Sequence, residues 1–108
     1  MTVNRRSATR HEVAIAVIVR VEAEPDAPEL ESMIENLSRS GAFVGLGRRL
    51  PIGMRVELRF ELPTHDKPIE TNAVVRWSSD EGIGVQFDGL RAGEVWSVGR
   101  FLEQLSRS

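Results

Sequence analysis

The sequence contains no cysteine and no tyrosine, and only one of its 14 basic residues is a lysine. Without cysteine the chain can form neither a disulfide bond nor a thiolate metal site, which fits a reducing compartment. No apolar run approaches the roughly 20 residues that a membrane-spanning helix needs. Residues 1–10 also lack the apolar segment of a signal peptide. We therefore expect a cytoplasmic protein with no membrane insertion.

Residues that could support catalysis or metal binding are scarce. The two histidines, His11 and His65, lie far apart, and neither has a second ligand at metal-binding spacing. The sequence has no glycine-rich phosphate loop and no nucleophile elbow. We therefore expect no enzyme activity, no metal and no cofactor, with both histidines as surface groups. A net charge of −2 argues against a general nucleic-acid binder, so we expect no DNA or RNA partner.

Six apolar segments with strand-like alternation occupy most of the chain. They are Val13–Val21, a strand ending near Asn36, a strand after Gly41, Met54–Leu62, Ile69–Trp77 and Ile83–Phe87. Turn residues separate the six segments. After Asp88-Gly89 the apolar residues recur every three or four positions, which is typical of a helix. The sequence therefore predicts an all-β fold, an antiparallel barrel or sandwich, with one C-terminal helix at about residues 90–106. We favour a six-stranded antiparallel barrel, because closure removes exposed strand edges.

Several side chains are expected in the core on the basis of this pattern. Phe43 is the expected core residue of the third strand, and Trp77 belongs to the inward face of the fifth. The helix is expected to present Val95, Val98, Leu102 and Leu105 to the barrel and to cover one opening with Trp96, Phe101 or both.

Two short polar stretches remain after the strands are assigned. The first is basic: Arg6 and Arg10 are four residues apart, Arg5 precedes them, and residues 1–11 show no periodicity. We expect this segment to be a flexible arm that orders when a ligand binds. The second is Asn36-Leu-Ser38-Arg-Ser-Gly41, between two apolar runs. Taken alone, it is typical of a plain turn.

Together the two stretches resemble the motifs of the PilZ domain, a bacterial receptor module for cyclic di-GMP. The family patterns are RxxxR and, some tens of residues later, [D/N]xSxxG. Here they read Arg6-x-x-x-Arg10 and Asn36-x-Ser38-x-x-Gly41. Both are complete and in the family's order, and the strand pattern fits nearly the whole chain.

The resemblance implies a cyclic di-GMP site formed by Arg5, Arg6, Arg10, Asn36, Ser38 and Gly41. An arginine fork suits guanine O6 and N7 or a phosphodiester. Many relatives carry aspartate at position 36, whose two oxygens can accept from guanine N1–H and N2–H. Because asparagine offers one acceptor, the affinity is left open. Arg5 is either solvated or the extra cation for a second ligand in an intercalated pair of cyclic di-GMP molecules.

The sequence leaves other functions open. The chain is either a receptor that passes the nucleotide signal to a partner protein, or a PilZ-like protein-interaction module with weak or no nucleotide binding. A barrel that binds single-stranded RNA is disfavoured by the net charge and by the lack of an aromatic ladder. Neither the partner protein nor the oligomeric state, which includes a homo-oligomer, follows from the sequence.

Overall fold

A computed structural model describes residues 10–106, so Arg5, Arg6 and the rest of residues 1–9, with residues 107–108, lie outside the described residues. The elements in chain order are β1 (His11–Val21), β2 (Leu30–Leu37), β3 (Gly41–Gly45), β4 (Arg55–Phe60), β5 (Ile69–Ser79), β6 (Gly82–Phe87) and α1 (Ala92–Ser106). This order confirms the predicted strands and helix, although β1 already begins at His11, inside the segment expected to be the arm.

The six strands form a closed antiparallel barrel in the order β1-β2-β3-β6-β5-β4, with β4 pairing back to β1. Closure leaves no strand edge free for pairing with another chain. The barrel class predicted from the sequence is therefore confirmed. No helix in residues 10–106 is long and apolar enough to cross a membrane.

The core is built from alternating residues that point into the barrel. In β4, Val56, Leu58 and Phe60 are buried while Arg55 and Arg59 are exposed, as the alternation predicts. Buried side chains from each of the other five strands complete the core. The largest fully buried side chains are Ile34, Leu37, Leu50, Leu58, Ile69, Ile83, Val17, Val19, Val44, Val56, Val75 and Val98.

An extra residue in β5 changes which side chains of that strand face outward. Val75 pairs with Val85 but Trp77 pairs with Gly84, so one more residue is used on β5 than on β6. Such a bulge places two successive residues on the same side of the sheet. Arg76 and Trp77 are consequently both exposed, Trp77 by 53%. The prediction that Trp77 lies in the core is therefore wrong.

A second bulge, in β2, has the same effect on the Asn36 motif. Ile34 pairs with Val44 and Asn36 with Phe43, which leaves Glu35 as the extra residue. Because Ile34 and Leu37 are both fully buried, Glu35 and Asn36 lie on the outer face between them. Phe43, the partner of Asn36, shares that outer face and is only half-buried. Its predicted place in the core is wrong.

Helix α1 closes one end of the barrel with Val98 and Leu102, which belong to the core, while Phe101 and Leu105 pack against it. Its first turn is stabilised by Glu94, whose Oε1 accepts from the Arg91 backbone N–H at 2.9 Å. The buried positions of Val98 and Leu102 were predicted correctly, but those of Val95 and Trp96 were not. Val95 and Trp96 are 44% and 61% exposed, and the Arg100 guanidinium lies 5.2 Å from the centroid of the Trp96 ring.

Both histidines bond to α1, in contrast to the surface positions expected for them. His65 Nδ1 lies 2.7 Å from Ser97 Oγ, and the neighbouring Thr64 hydroxyl donates to Ser97 O at 2.8 Å. His11 Nε2 lies 2.9 Å from Ser106 Oγ, while Nδ1 is buried and has no partner among residues 10–106. The helix is thus tied to the β4–β5 loop and to the start of β1.

Candidate functional site on the outer face of the barrel

Ser38 holds the tight turn between β2 and β3. Its backbone N–H donates to Gly41 O at 2.9 Å, and its Oγ accepts from the backbone N–H groups of Ser40 and Gly41 at 3.2 and 3.1 Å. The hydroxyl also lies 3.3 Å from Gly41 O, to which it can donate. Ser38 is only 4% exposed. In this structure the hydroxyl is therefore used within the turn, and its contact with a ligand stays a prediction.

Gly41 is required by the neighbouring strand. A Cβ at this position would collide with the backbone carbonyl oxygen of Val85 in β6, so only glycine permits this approach of β3 to β6. The same turn is joined to β6 by a bond from Phe87 N–H to Ser40 O at 2.8 Å. The Ser-x-x-Gly part of the motif therefore sets the position of the turn on the barrel.

Strand register brings the two sequence motifs together. His11 pairs with Leu37 and Glu12 with Asn36, so the start of β1 lies beside the β2–β3 turn. Arg10, the last residue of RxxxR, is exposed at this point. Of the predicted site residues that the structure describes, Arg10, Asn36, Ser38 and Gly41 therefore meet at one end of the barrel. Arg5 and Arg6 lie outside the described residues.

A row of residues crosses the outer face of five strands from this point. Glu12 pairs with Asn36, Asn36 with Phe43, Phe43 with Gly84, and Gly84 with Trp77. Residues paired directly across a sheet lie on the same face. We call these five residues the outer row. From Asn36 to Trp77 it crosses three strand spacings, roughly 14 Å along the sheet surface.

The far end of the outer row is aromatic and open. The rings of Phe43 and Trp77 lie on either side of Gly84, with centroids 5.6 Å apart and planes inclined by 51°. A Cβ at Gly84 would be in van der Waals contact with Trp77 Cβ, at 3.4 Å, so Trp77 packs directly over this glycine. A half-exposed indole beside a glycine offers a flat surface on which a base can stack.

The charges around the outer row are mixed. Arg10 and Arg76 are exposed, and Arg76 Nε donates to Gln86 Oε1 at 3.0 Å. Glu12 and Glu35 are exposed acids on the same side, and the Glu35 carboxylate lies over Gly45. An anionic ligand here would need the arginines of the N-terminal segment to offset these acids.

Arg39, which the sequence analysis did not assign to the site, connects the turn to α1. Its guanidinium packs across Gly99, where a Cβ would collide with Nη1, and its Nη2 lies 4.0 Å from Glu103 Oε2. The available signal was a glycine inside a predicted helix, which often marks close packing. The β2–β3 turn is therefore in direct contact with the helix that closes the barrel.

Chemically, the site offers an amide, a carboxylate, arginine forks and an exposed aromatic platform. Residues 10–106 contain no group of three or more histidines and acids arranged to hold a metal ion. The fold is a small closed β-barrel that carries these polar, charged and aromatic side chains on its outer surface.

Comparison with known proteins identifies the family. The model of the PilZ domain matches residues 4–104, which is nearly the entire chain. The chain therefore belongs to the PilZ domain family. Comparison with curated proteins gives no significant match.

Two solved structures share the fold. The Bacillus subtilis inhibitor of motility, MotI/DgrA, superimposes with a TM-score of 0.78 at 22% identity, covering 98% of this chain and 54% of that one. The PilZ domain of CeSA from a cellulose-synthesizing bacterium gives a TM-score of 0.68 at 19% identity, covering 91% and 98%. The present chain thus spans about half of the MotI/DgrA chain.

Proposed function

We propose that this protein is a cyclic di-GMP receptor that changes conformation on nucleotide binding and passes the signal to a partner protein. The observation that carries the proposal is the strand register. It brings Arg10 to the Asn36–Gly41 motif, at one end of an outward-facing row that ends in an exposed tryptophan. The same residues would be unrelated surface groups if β1 and β2 paired in another register.

Each part of the site suits one part of the ligand. The forks of Arg6 and Arg10 fit guanine O6 and N7 or a phosphodiester, through charge-assisted bonds. Asn36 faces the base edge, and Trp77 provides a stacking surface. Ser38 and Gly41 hold the turn that positions Asn36, and the N-terminal segment closes over the ligand.

The proposed activity is binding without catalysis, in the cytoplasm where a bacterial second messenger acts. The alternative, an interaction module with little nucleotide binding, is favoured by one feature of α1. Val95 and Trp96 stand on its outer side, 44% and 61% exposed, and could contact a partner protein. Titration with nucleotide distinguishes the two functions.

Isothermal titration calorimetry of the full chain with cyclic di-GMP tests the proposal, with GMP and a short RNA as comparison ligands. Arg10→Ala should lower the binding free energy by about 2–4 kcal/mol, because it leaves a charged ligand group without its partner. Arg20→Ala is the matched control, since Arg20 is an exposed arginine of β1 that lies 3.5 Å from Glu57. Equal affinities for the wild type and Arg10→Ala would refute the proposed site.

A further inference from the structure

Glu12 stands at the β1 end of the outer row, directly opposite Asn36. It is exposed and shares the outer face with Asn36 because the two residues are register partners. Two acids on the outside of the barrel lie next to arginines: Glu57 is 3.5 Å from Arg20, and Glu70 is 4.0 Å from Arg59. The side chain of Glu12 makes no hydrogen bond or ion pair with another residue in the range 10–106.

Guanine presents three groups along its Watson–Crick edge: the acceptor O6 and the donors N1–H and N2–H. Asparagine carries one amide donor and one acceptor, so Asn36 can complement only two of these three groups. A carboxylate can accept from N1–H and N2–H together. Across an antiparallel pair the two Cβ atoms are about 5 Å apart, so both side chains can reach the edge of one base.

We propose that Glu12 is a guanine-recognition residue of this site, accepting from N1–H and N2–H while the Asn36 amide donates to O6. The inference rests on the proposed cyclic di-GMP function and assigns the base contact within it. The pair Glu12–Asn36 thus matches all three polar groups of the base edge, which neither residue does alone.

Glu35 is the other exposed acid near Asn36, and its geometry does not suit this role. Its carboxylate lies over Gly45, whose register partner is Met33, so the charge is directed along β3 away from the outer row. Glu12 also lies two residues after Arg10, so a cation is close enough to offset its repulsion of the ligand phosphates.

If Glu12 has this role, aspartate at position 36 should weaken ligand binding, although its two oxygens alone would be expected to strengthen it. Asn36→Asp would set a second carboxylate against Glu12 and remove the donor to O6, so affinity should fall. Once Glu12 is replaced by alanine, the same change supplies the missing acceptors, and affinity should rise. If position 36 alone recognised the base, Asn36→Asp would change the affinity in the same direction in the wild type and in the Glu12→Ala variant.

The experiment measures dissociation constants of the full chain for cyclic di-GMP and for cyclic di-IMP, which lacks the N2 amino group. The wild type should prefer cyclic di-GMP. Glu12→Ala should weaken cyclic di-GMP binding by roughly 5- to 150-fold, the range for one bidentate base contact, and remove the preference. Glu31→Ala, which removes an exposed acid elsewhere on β2, is the charge control and should bind like the wild type.

Unchanged or tighter cyclic di-GMP binding by Glu12→Ala would overturn the inference, and so would an intact preference for cyclic di-GMP in that variant. If wild-type protein fails to bind cyclic di-GMP at all, the proposed function itself is wrong, and the base assignment falls with it. Circular dichroism melting of each variant, compared with the wild type, separates loss of contact from loss of fold.

Discussion

Phe43 and Trp77 pack against each other on the outside of the barrel, with ring centroids 5.6 Å apart, across the strand that carries Gly84. Neither ring contributes to the interior, although the buried residues Val44 and Val75 lie in the same two strands. The pair therefore leaves a large aromatic surface next to Asn36 instead of using it to fill the core.

Replacing Trp77 by alanine tests this surface. The variant should bind cyclic di-GMP more weakly by about 1–3 kcal/mol, the range for loss of one base-stacking partner. Trp96→Ala removes the other tryptophan, which is similarly exposed on α1, and should leave the affinity unchanged. Calorimetry on both variants makes the comparison. Equal losses of affinity in the two variants would show that the outer row is not the binding surface.

Ser38→Ala tests the turn without any ligand. The substitution leaves the backbone N–H groups of Ser40 and Gly41 without their acceptor, and we expect the free energy of unfolding to fall by about 1–3 kcal/mol. Ser40→Ala is the control: among residues 10–106 its hydroxyl bonds only to Ser38 Oγ, at 3.4 Å, so the change should stay within about 0.5 kcal/mol. Urea denaturation of the unliganded variants measures both. A fully stable Ser38→Ala would leave ligand contact as the only role for this hydroxyl.

Two glycines of α1 should respond differently to alanine. Gly93 faces open space, so Gly93→Ala should stabilise the fold by up to about 1 kcal/mol through helix propensity. At Gly99 the new methyl group would displace the Arg39 guanidinium, so the gain should be smaller or negative. In an Arg39→Ala background, Gly99→Ala should recover the full gain. Denaturation midpoints of the four variants and the wild type test this, and equal effects at both glycines would rule out the Arg39 contact.

Ligand stoichiometry tests the role of Arg5, which lies outside the described residues. In an extended segment its side chain points opposite to that of Arg6, so it can reach a second ligand beyond the first. We expect two cyclic di-GMP molecules per wild-type chain and a value falling toward one for Arg5→Ala. Arg48→Ala, an arginine bonded to Glu24 away from the site, should retain two. Saturation of the wild type at one ligand per chain would exclude this role.

The strand pattern of the sequence was sufficient for the six strands, because most strands keep one apolar face, and the absence of exposed edges favoured the barrel over a sandwich. In β4 the alternation from Met54 to Leu62 predicts inward and outward residues correctly throughout. Phe43 lies between the buried Ala42 and Val44, so the alternation of β3 itself places it on the outer face. The error at Trp77 arises because β5 contains an extra residue. The bulge at Arg76 shifts the alternation by one position, so Trp77 faces the side opposite to that predicted. Nothing in the local sequence reveals how many residues the partner strand uses.

The candidate site was predicted from motifs rather than from periodicity, and its described part lies together as the motifs imply. Tertiary contacts between distant elements were not predictable. The contact between Arg39 and Gly99 and the bond between His65 and Ser97 join residues 60 and 32 positions apart. Each depends on where α1 lies over the barrel, which the amphipathic pattern of the helix leaves open.

The hydrogen bond between His11 and Ser106 makes the two ends of the described chain neighbours. A fluorescent label attached at the last turn of α1 would sit beside Arg10, close to the segment that carries the predicted ligand arginines. Its emission would then report closure of that segment without any label on the binding surface. The last turn of α1 is therefore a labelling position that lies outside the outer row.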